Sequence, residues 1–332
     1  MNIAIIGAGL SGLTAAHVLK DHASIEIFEK SRGVSGRMST RRAEPYLFDH
    51  GAQFFTAKTD QFQKFLLPAI REGVVKPWIA RFVEFKKNSI IKNKQWDQCQ
   101  PHYVAVPGMN ALGKYLIQDV KCHLGVSVKT LLKKNGKWHV KDGEGNVLGE
   151  YDWVICALPA EQVSALLPST ISFYSDVCSV RMKACFSLML AFQKVLPLEF
   201  DVARIHDEDI GWISVNNSKP SRGKECCLLV HSSHRWADKH IDGDQDQLAK
   251  EISAKASEII GHSLSHAVHS ALHRWRFASA EKRSGETHFI DKGQCIAVCG
   301  DWCIEGRVEA AFTSGFDLGD TLVKLINTGK II

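Results

Sequence analysis

The chain opens on a turn that few folds can use: Gly7-Ala8-Gly9-Leu10-Ser11-Gly12 directly after the apolar run 3–6. Residues 3–6 read as a short buried strand, 13–20 as a helix, and 25–28 as a second strand ending at Glu29. Together they predict one βαβ unit with a right-handed crossover and parallel strands. In such a unit Gly7 permits the tight strand-to-helix turn, Gly9 lets backbone approach a pyrophosphate, and Gly12 lets the helix pack closely on the strand. Phosphates then meet the free N–H groups and positive dipole end of that helix, with Leu10 and Ser11 in the turn that leads into it. Glu29 lies twenty-two residues past Gly7, at a strand end where its carboxylate can accept from both ribose hydroxyls, with Lys30 next to it. A lone glycine motif is a weak signal. Strand, helix and acid together define a dinucleotide site, without saying which dinucleotide.

Two further places narrow the choice. In Ser35-Gly36-Arg37-Met38 a flexible loop carries an arginine suited to a bidentate pyrophosphate contact, with a solvated surface arginine among Arg41 and Arg42 as the alternative. Near the other end, the buried strand of Ile296-Ala297-Val298-Cys299-Gly300-Asp301 ends in an aspartate placed for ribityl hydroxyls. A helix then begins around Val308, and its N–H groups suit the flavin carbonyl where negative charge gathers on reduction. A nicotinamide dehydrogenase has no need of this second, C-terminal site, so the cofactor expected is FAD.

Between these ends the pattern changes. Residues 31–49 read as an extended loop and 61–71 as a helix. Residues 77–105 form short alternating runs that suit antiparallel strands, and a helix follows over 110–117. Residues 126–132, 138–141 and 153–158 read as a meander returning to the main sheet, with turns at Asp142-Gly143 and Glu144-Gly145-Asn146. Strands are expected at 186–192, 211–215 and 227–231, then a helix over 245–260 capped by Asp244, a strand at 295–299 and a helix over 309–326. The fold class that follows is α/β, a two-domain FAD-binding Rossmann-like fold with an inserted mixed, antiparallel-rich substrate domain. The cofactor domain is expected to be discontinuous, 1–60, 105–165 and 275–332, with 61–104 and 166–274 as the substrate domain.

Composition excludes several alternatives. The formal charge of +5 comes from 41 basic and 36 acidic residues spread along 332 positions, with no basic block of the kind a nucleic-acid groove needs. The ten cysteines include no Cys-x-x-Cys pair, and Cys156, Cys295 and Cys299 sit in apolar runs, so reduced, buried thiols are expected. No metal site is expected. His266, His269 and His273 fit one helix face, but no carboxylate or cysteine completes a ligand set there. Glycines at 7, 9 and 12 and the missing basic n-region argue against a leader, and no apolar stretch is long enough to span a membrane. A cytoplasmic protein, monomer or homodimer, is the expectation.

With these blocks in view the sequence resembles bacterial renalases of the flavin amine-oxidase superfamily, whose fold is of the para-hydroxybenzoate-hydroxylase type. The likeness is carried by Gly-Arg-Met-Ser-Thr-Arg at 36–41, Asp-His-Gly-Ala-Gln-Phe-Phe at 49–55 and Pro-Gly-Met at 107–109. It continues in His-Arg-Trp-Arg-Phe-Ala at 273–278 and Cys-Gly-Asp-Trp-Cys-Ile-Glu-Gly-Arg-Val-Glu at 299–309. Ser35 departs from the pattern, since the family often has a glycine there. The resemblance implies that Ala52 and Gln53 lie along the flavin and that the Val128 backbone holds the adenine. It also implies an activity: oxidation of 1,2- and 1,6-dihydro-β-NAD(P) by hydride transfer to flavin N5, with O2 reduced to H2O2.

That chemistry asks for no catalytic triad, because a dihydropyridine already carries a transferable hydride. On the substrate side Trp275 and Phe277 are candidates to wall a nicotinamide, His231 and Asn216 to hydrogen-bond it, and Arg274 and Arg276 to meet its phosphates. Each has a structural reading beside the functional one, since aromatics alternating along a strand are often core. A flavin amine oxidase is the nearest rival, with Lys183 or Lys219 as the lysine it would use near N5. A flavin-binding protein without turnover is the other.

Overall fold

The structure, a computed structural model, describes residues 1–329. The expected cofactor domain runs to 332, and its last positions, 330–332, lie outside the described residues. The chain divides into two compact units: Met1–Arg37, Gly113–Met182 and Ser279–Ile332 form one, Met38–Leu112 and Lys183–Ala278 the other.

The first unit is built on a six-stranded sheet in the order His288–Asp291, Ile296–Cys299, Trp153–Cys156, Asn2–Ile6, Ser24–Glu29, Lys121–Leu124. Only the first of these runs antiparallel to its neighbour; the other pairings are parallel. The central strands are apolar on both faces, as a sheet covered by helices requires. Helix Leu10–Leu19 crosses from the first strand to Ser24–Glu29, and helix Val308–Asn327 lies against it. That packing is close. A side chain at Gly315 would stand 2.2 Å from the Ser11 carbonyl oxygen, and one at Gly319 would stand 2.8 Å from Val18. An antiparallel sheet of Thr130–Lys134, Lys137–Lys141 and Val147–Tyr151 covers the same core with Leu131, Trp138, Val140 and Tyr151. Its third strand is Val147–Tyr151 rather than the 153–158 expected for the meander. Trp153–Cys156 instead belongs to the main parallel sheet, where all four of its residues are buried.

The second unit carries a seven-stranded sheet in the order His269–Ala280, Met182–Phe192, Cys226–Ser232, Ile210–Val215, Val202–His206, Arg81–Lys86, Ser89–Gln95. One face packs Phe186, Leu188, Leu190, Leu228 and Val230 under helix Gln245–Ile260. The Asp244 carboxylate caps that helix by accepting from the Gln247 N–H at 2.8 Å, and Gly261 ends it in the left-handed conformation at φ +68°. On the other face Met189, Ala191, Cys227 and Leu229 enclose Phe48. Burial of Phe48 explains a shift in boundaries. Residues 38–60, 105–112 and 275–278, placed with the cofactor domain on sequence, group with the second unit, and 166–182 group with the first. The loop expected over 31–49 contains a small hairpin, Arg41–Ala43 with Tyr46–Phe48, which delivers that phenylalanine.

One other expectation changes. The helix face drawn through His266, His269 and His273 does not exist. The helix stops at Gly261, and His269 and His273 stand on one face of the strand His269–Ala280. Their spacing imitated a helical period while sheet pairing decided the outcome. Strand Val202–His206 and helix His234–Lys239 gave no clear sequence pattern.

Candidate functional site

The first unit presents a cradle at the carboxyl ends of its parallel strands, where the strand order reverses between Asn2–Ile6 and Trp153–Cys156. Gly7 has φ +105°, and a side chain on it would meet the Ala157 carbonyl oxygen at 2.6 Å. Gly12 is equally constrained, its virtual Cβ lying 2.3 Å from the Gly7 oxygen. Gly9 differs. Its φ of −72° is ordinary, and no atom lies within 4 Å of the position a side chain would take. Neither backbone nor packing inside the chain calls for glycine there, so the open space over Gly9 is the feature that fits a bound pyrophosphate. Helix Leu10–Leu19 has no side-chain cap and no acid in its first turn, which leaves its N-terminal dipole for an anion.

Glu29 is buried and fixed by this same element. Its carboxylate accepts from the Ala8 N–H at 2.9 Å and the Ser31 N–H at 2.7 Å. Each oxygen keeps a further lone pair, enough for two ribose hydroxyls. Beside it, Ile6, Gly7, Phe28, Lys30, Val128 and Leu158 line a cavity of about 330 Å³. This is the low end of the size range for small-molecule sites and has the apolar walls a purine needs. The Lys30 ammonium donates to Gln162 at 3.3 Å.

The other half of the cradle joins the chain ends. Arg37 donates to both oxygens of the Asp301 carboxylate, at 2.8 and 2.5 Å, while Asp301 is 4% exposed. The two residues assigned to separate parts of the cofactor thus hold one another in a bidentate pair. Gly36 at φ +51° brings the loop onto Gly9, and Ser35 adopts φ +93°, a conformation that favours glycine. Val308 is the first residue of the helix Val308–Asn327, whose start lacks a side-chain cap.

The second unit gathers the candidate substrate residues, with corrections. Trp275 stacks on His50 at 5.2 Å and donates its indole N–H to the His50 carbonyl at 2.9 Å. His273 packs edge-on to both rings. Arg274, however, lies on the opposite face of the sheet. Its guanidinium sits over Phe186 and donates to the Gly243 carbonyl, because alternation along a strand sends neighbours to opposite sides. Arg276 follows it and pairs with Asp242. Neither accompanies Trp275.

Asn216 is also removed from the substrate list. It is fully buried, its amide donates to Leu47, and its carbonyl accepts from Lys219. Gln53 is committed in the same way: its side chain accepts from Ser214 and Lys219 and donates to the Asp49 and Gly51 carbonyls, so only its backbone and that of Ala52 are left for a ligand. Behind both stands a cluster that the sequence did not reveal. The fully buried Asp49 carboxylate accepts from Thr40 at 2.7 Å, the Met109 N–H at 3.0 Å, Lys219 at 3.3 Å and Arg222 at 2.9 Å. Burial alone would push Asp49 up, but Lys219 and Arg222 hold it below the usual carboxylate range. Burial also pulls Lys219 down to about 8. This cluster ties down the segment 49–53 and locks Lys219, one of the two lysines considered for amine oxidation.

The imidazoles nearby are uncharged. Burial, helped by His273 and Arg41, pushes His50 down to about 3; burial and Lys219 bring His231 to about 4; burial and Arg41 bring His273 to about 4. Among the described residues no group of His, Cys, Asp or Glu is arranged to hold a metal, and no helix is long and apolar enough to cross a membrane. All ten cysteines are free thiols.

A parallel-sheet cradle of this kind has the form of a dinucleotide-binding site. Comparison with known proteins makes the class specific. Residues 5–66 match the NAD(P)-binding Rossmann-like domain, and residues 82–317 match the flavin containing amine oxidoreductase family. The chain belongs to that flavin amine oxidoreductase family, and FAD is its cofactor. Among solved structures it is similar to a protein from Exiguobacterium sp. 255-15 provisionally named protoporphyrinogen oxidase, with a TM-score of 0.77, 11% identity, and 97% and 98% of the two chains covered. It is also similar to putrescine oxidase in its wild-type complex with putrescine, with a TM-score of 0.72, 13% identity, and 98% and 99% covered. At these identities the likeness is one of fold.

Proposed function

We propose that this protein is a FAD-dependent oxidase of misreduced nicotinamide dinucleotides, as renalases are. It would take hydride from 1,2- or 1,6-dihydro-β-NAD(P), release NAD(P)+ and pass the electrons to O2, giving H2O2. In this reading the first unit holds the cofactor and the second the substrate. Gly7, Gly9, Leu10, Ser11, Gly12 and Glu29 cradle the ADP half, with Lys30 and Val128 at the adenosine end and Gly36, Arg37, Asp301 and Val308 toward the flavin. Bound FAD supplies the hydride acceptor.

One observation carries the choice of donor. The aromatic group of His50, His231, His273 and Trp275 consists of neutral hydrogen-bonding rings, and Asp49, the buried carboxylate next to His50 in sequence, is already engaged by four donors. A dihydropyridine is neutral at its reactive ring and becomes aromatic when it loses hydride, so it needs flat walls and dry surroundings rather than an acid or base. A protonated amine such as putrescine, the ligand of one structural neighbour, asks instead for an anion or a base near its charge. Lys219, one of the two lysines considered for an amine oxidase, is engaged with Asp49, Gln53 and Asn216.

The test is anaerobic mixing of the flavin-loaded protein with each donor. Bleaching by 1,2- or 1,6-dihydro-NAD(P), followed by peroxide on admitting air, is expected. Bleaching by putrescine or another amine alone would move the protein to the amine oxidases. No bleaching by either would make it a flavin-binding protein without turnover.

A further inference from the structure

In the second unit seven buried side-chain polar atoms have no hydrogen-bond partner among the described residues, and three of them stand in one row. Ser187 on Met182–Phe192 pairs directly with His231 on Cys226–Ser232, and His231 pairs directly with Trp212 on Ile210–Val215. Register partners share a sheet face, with Cβ atoms about 4.5–5.5 Å apart. Ser187 Oγ, His231 Nε2 and Trp212 Nε1 are each buried without a partner among the described residues. Leaving such atoms unmet costs about 1–3 kcal/mol apiece. Native interiors seldom accept that without a reason, and three adjacent cases on one face point to a ligand.

Their chemistry fixes what the ligand must offer. The Trp212 indole N–H is a donor only. The His50 backbone carbonyl faces the His231 ring and opposes the lowering of its pKa by burial, so the ring proton belongs on that side and the unpartnered Nε2 of this uncharged imidazole acts as an acceptor. Ser187 accepts or donates. The row therefore reads donor, acceptor, acceptor-or-donor. Beside it Phe54 lies nearly parallel to Trp212 at 5.6 Å, a flat apolar flank.

We propose that Trp212, His231 and Ser187 form a recognition site for a primary carboxamide. Trp212 Nε1–H donates to the amide oxygen, and the amide NH2 donates to His231 Nε2 and Ser187 Oγ. A carboxylate brings no hydrogen to His231, and an ammonium brings no acceptor to Trp212, so both leave a buried group unpaired. Sites built this way reject analogues that lack the matching group far more strongly than apolar pockets do. Resting on the reading above, the carboxamide is that of the dihydronicotinamide ring, and the site would exclude nicotinic-acid dinucleotides.

The experiment is calorimetric titration of the flavin-loaded protein with benzamide and with benzoate. Benzamide is expected to bind at least about tenfold more tightly than benzoate. Trp212→Phe and Ser187→Ala, which keep the packing, should each weaken benzamide about tenfold while retaining flavin. Equal binding of the two probes, no binding of benzamide, or variants with parental benzamide affinity would overturn the assignment. Flavin reduction by dihydro-NAD(P) is read separately. Amide selectivity without that reduction keeps the site and removes the proposed substrate; reduction without amide selectivity does the reverse.

Discussion

In the first unit Glu29 meets two backbone N–H groups, Ala8 and Ser31, within a single βαβ element. In the second unit Asp49 collects its donors from Thr40, Met109, Lys219 and Arg222, the last of them 173 positions away. Both carboxylates are buried and both are satisfied, but the means differ. The cradle is made of main chain, glycine and one acid, so its geometry is a local property of the sequence. The cluster in the second unit is made of side chains from several strands and loops, whose parts have meaning only together. Cofactor sites of the first kind tolerate little variation, whereas the second kind lets the donor change while the sheet stays the same.

The largest expected effect falls on the second unit. Asp49→Ala leaves Lys219 and Arg222 buried without their counter-charge and should cost about 3–5 kcal/mol in urea unfolding. Adding Lys219→Met should recover part of it. A single-variant loss below about 1 kcal/mol would show that the cluster is not what anchors residues 49–53.

Acid should separate the units next. An unfolded chain protonates its histidines near 6.5, but folded His50 resists until about 3, and His231 and His273 until about 4. The unfolded state therefore binds more protons throughout that window, and stability falls as pH drops below 6.5. His50 alone accounts for a loss on the order of 3–5 kcal/mol by the time pH reaches its folded value. Urea midpoints that stay level from 6.5 down to 4 would contradict this, and His50→Phe should flatten the curve.

Smaller effects belong to the cradle and distinguish its glycines. Gly12→Ala forces a methyl against the Gly7 oxygen and should lose about 1–3 kcal/mol of stability along with the flavin. Gly9→Ala enters open space, so the flavin-free protein should change by no more than about 0.5 kcal/mol. Its FAD affinity should still fall about tenfold or more, because the methyl occupies the approach to the helix terminus. Glu29→Ala and Asp301→Ala should also lower retained FAD, the latter by freeing Arg37 from its bidentate pair. Variants that purify with full flavin would remove those residues from the site.

How much of this was legible follows the same division. Gly7 to Gly12, Glu29 and the strand ending before Asp301 were readable because spacing along one βαβ unit, or one strand end, determines where they lie. Asp49 and His50 were visible as a family motif but not as chemistry, since no local pattern says that Lys219 and Arg222 arrive beside them. Arg274 and Trp275 are neighbours in sequence, and only the phase of the strand separates them onto opposite faces. Asn216 and Gln53 were polar residues in plausible places whose hydrogen bonds were already spent inside the fold. Ser187 and Trp212 gave no signal at all. Their meaning comes from register with His231, a long-range property of the sheet.

The central claim concerns the hydride donor, and one measurement addresses it directly. Flavin-loaded protein is mixed without oxygen with 1,6-dihydro-NAD, unlabelled or carrying deuterium at the transferable position. The account predicts loss of the oxidised flavin spectrum with one NAD+ formed per flavin, slowed by a primary isotope effect. A flavin that stays oxidised with this donor while an amine bleaches it would contradict the account.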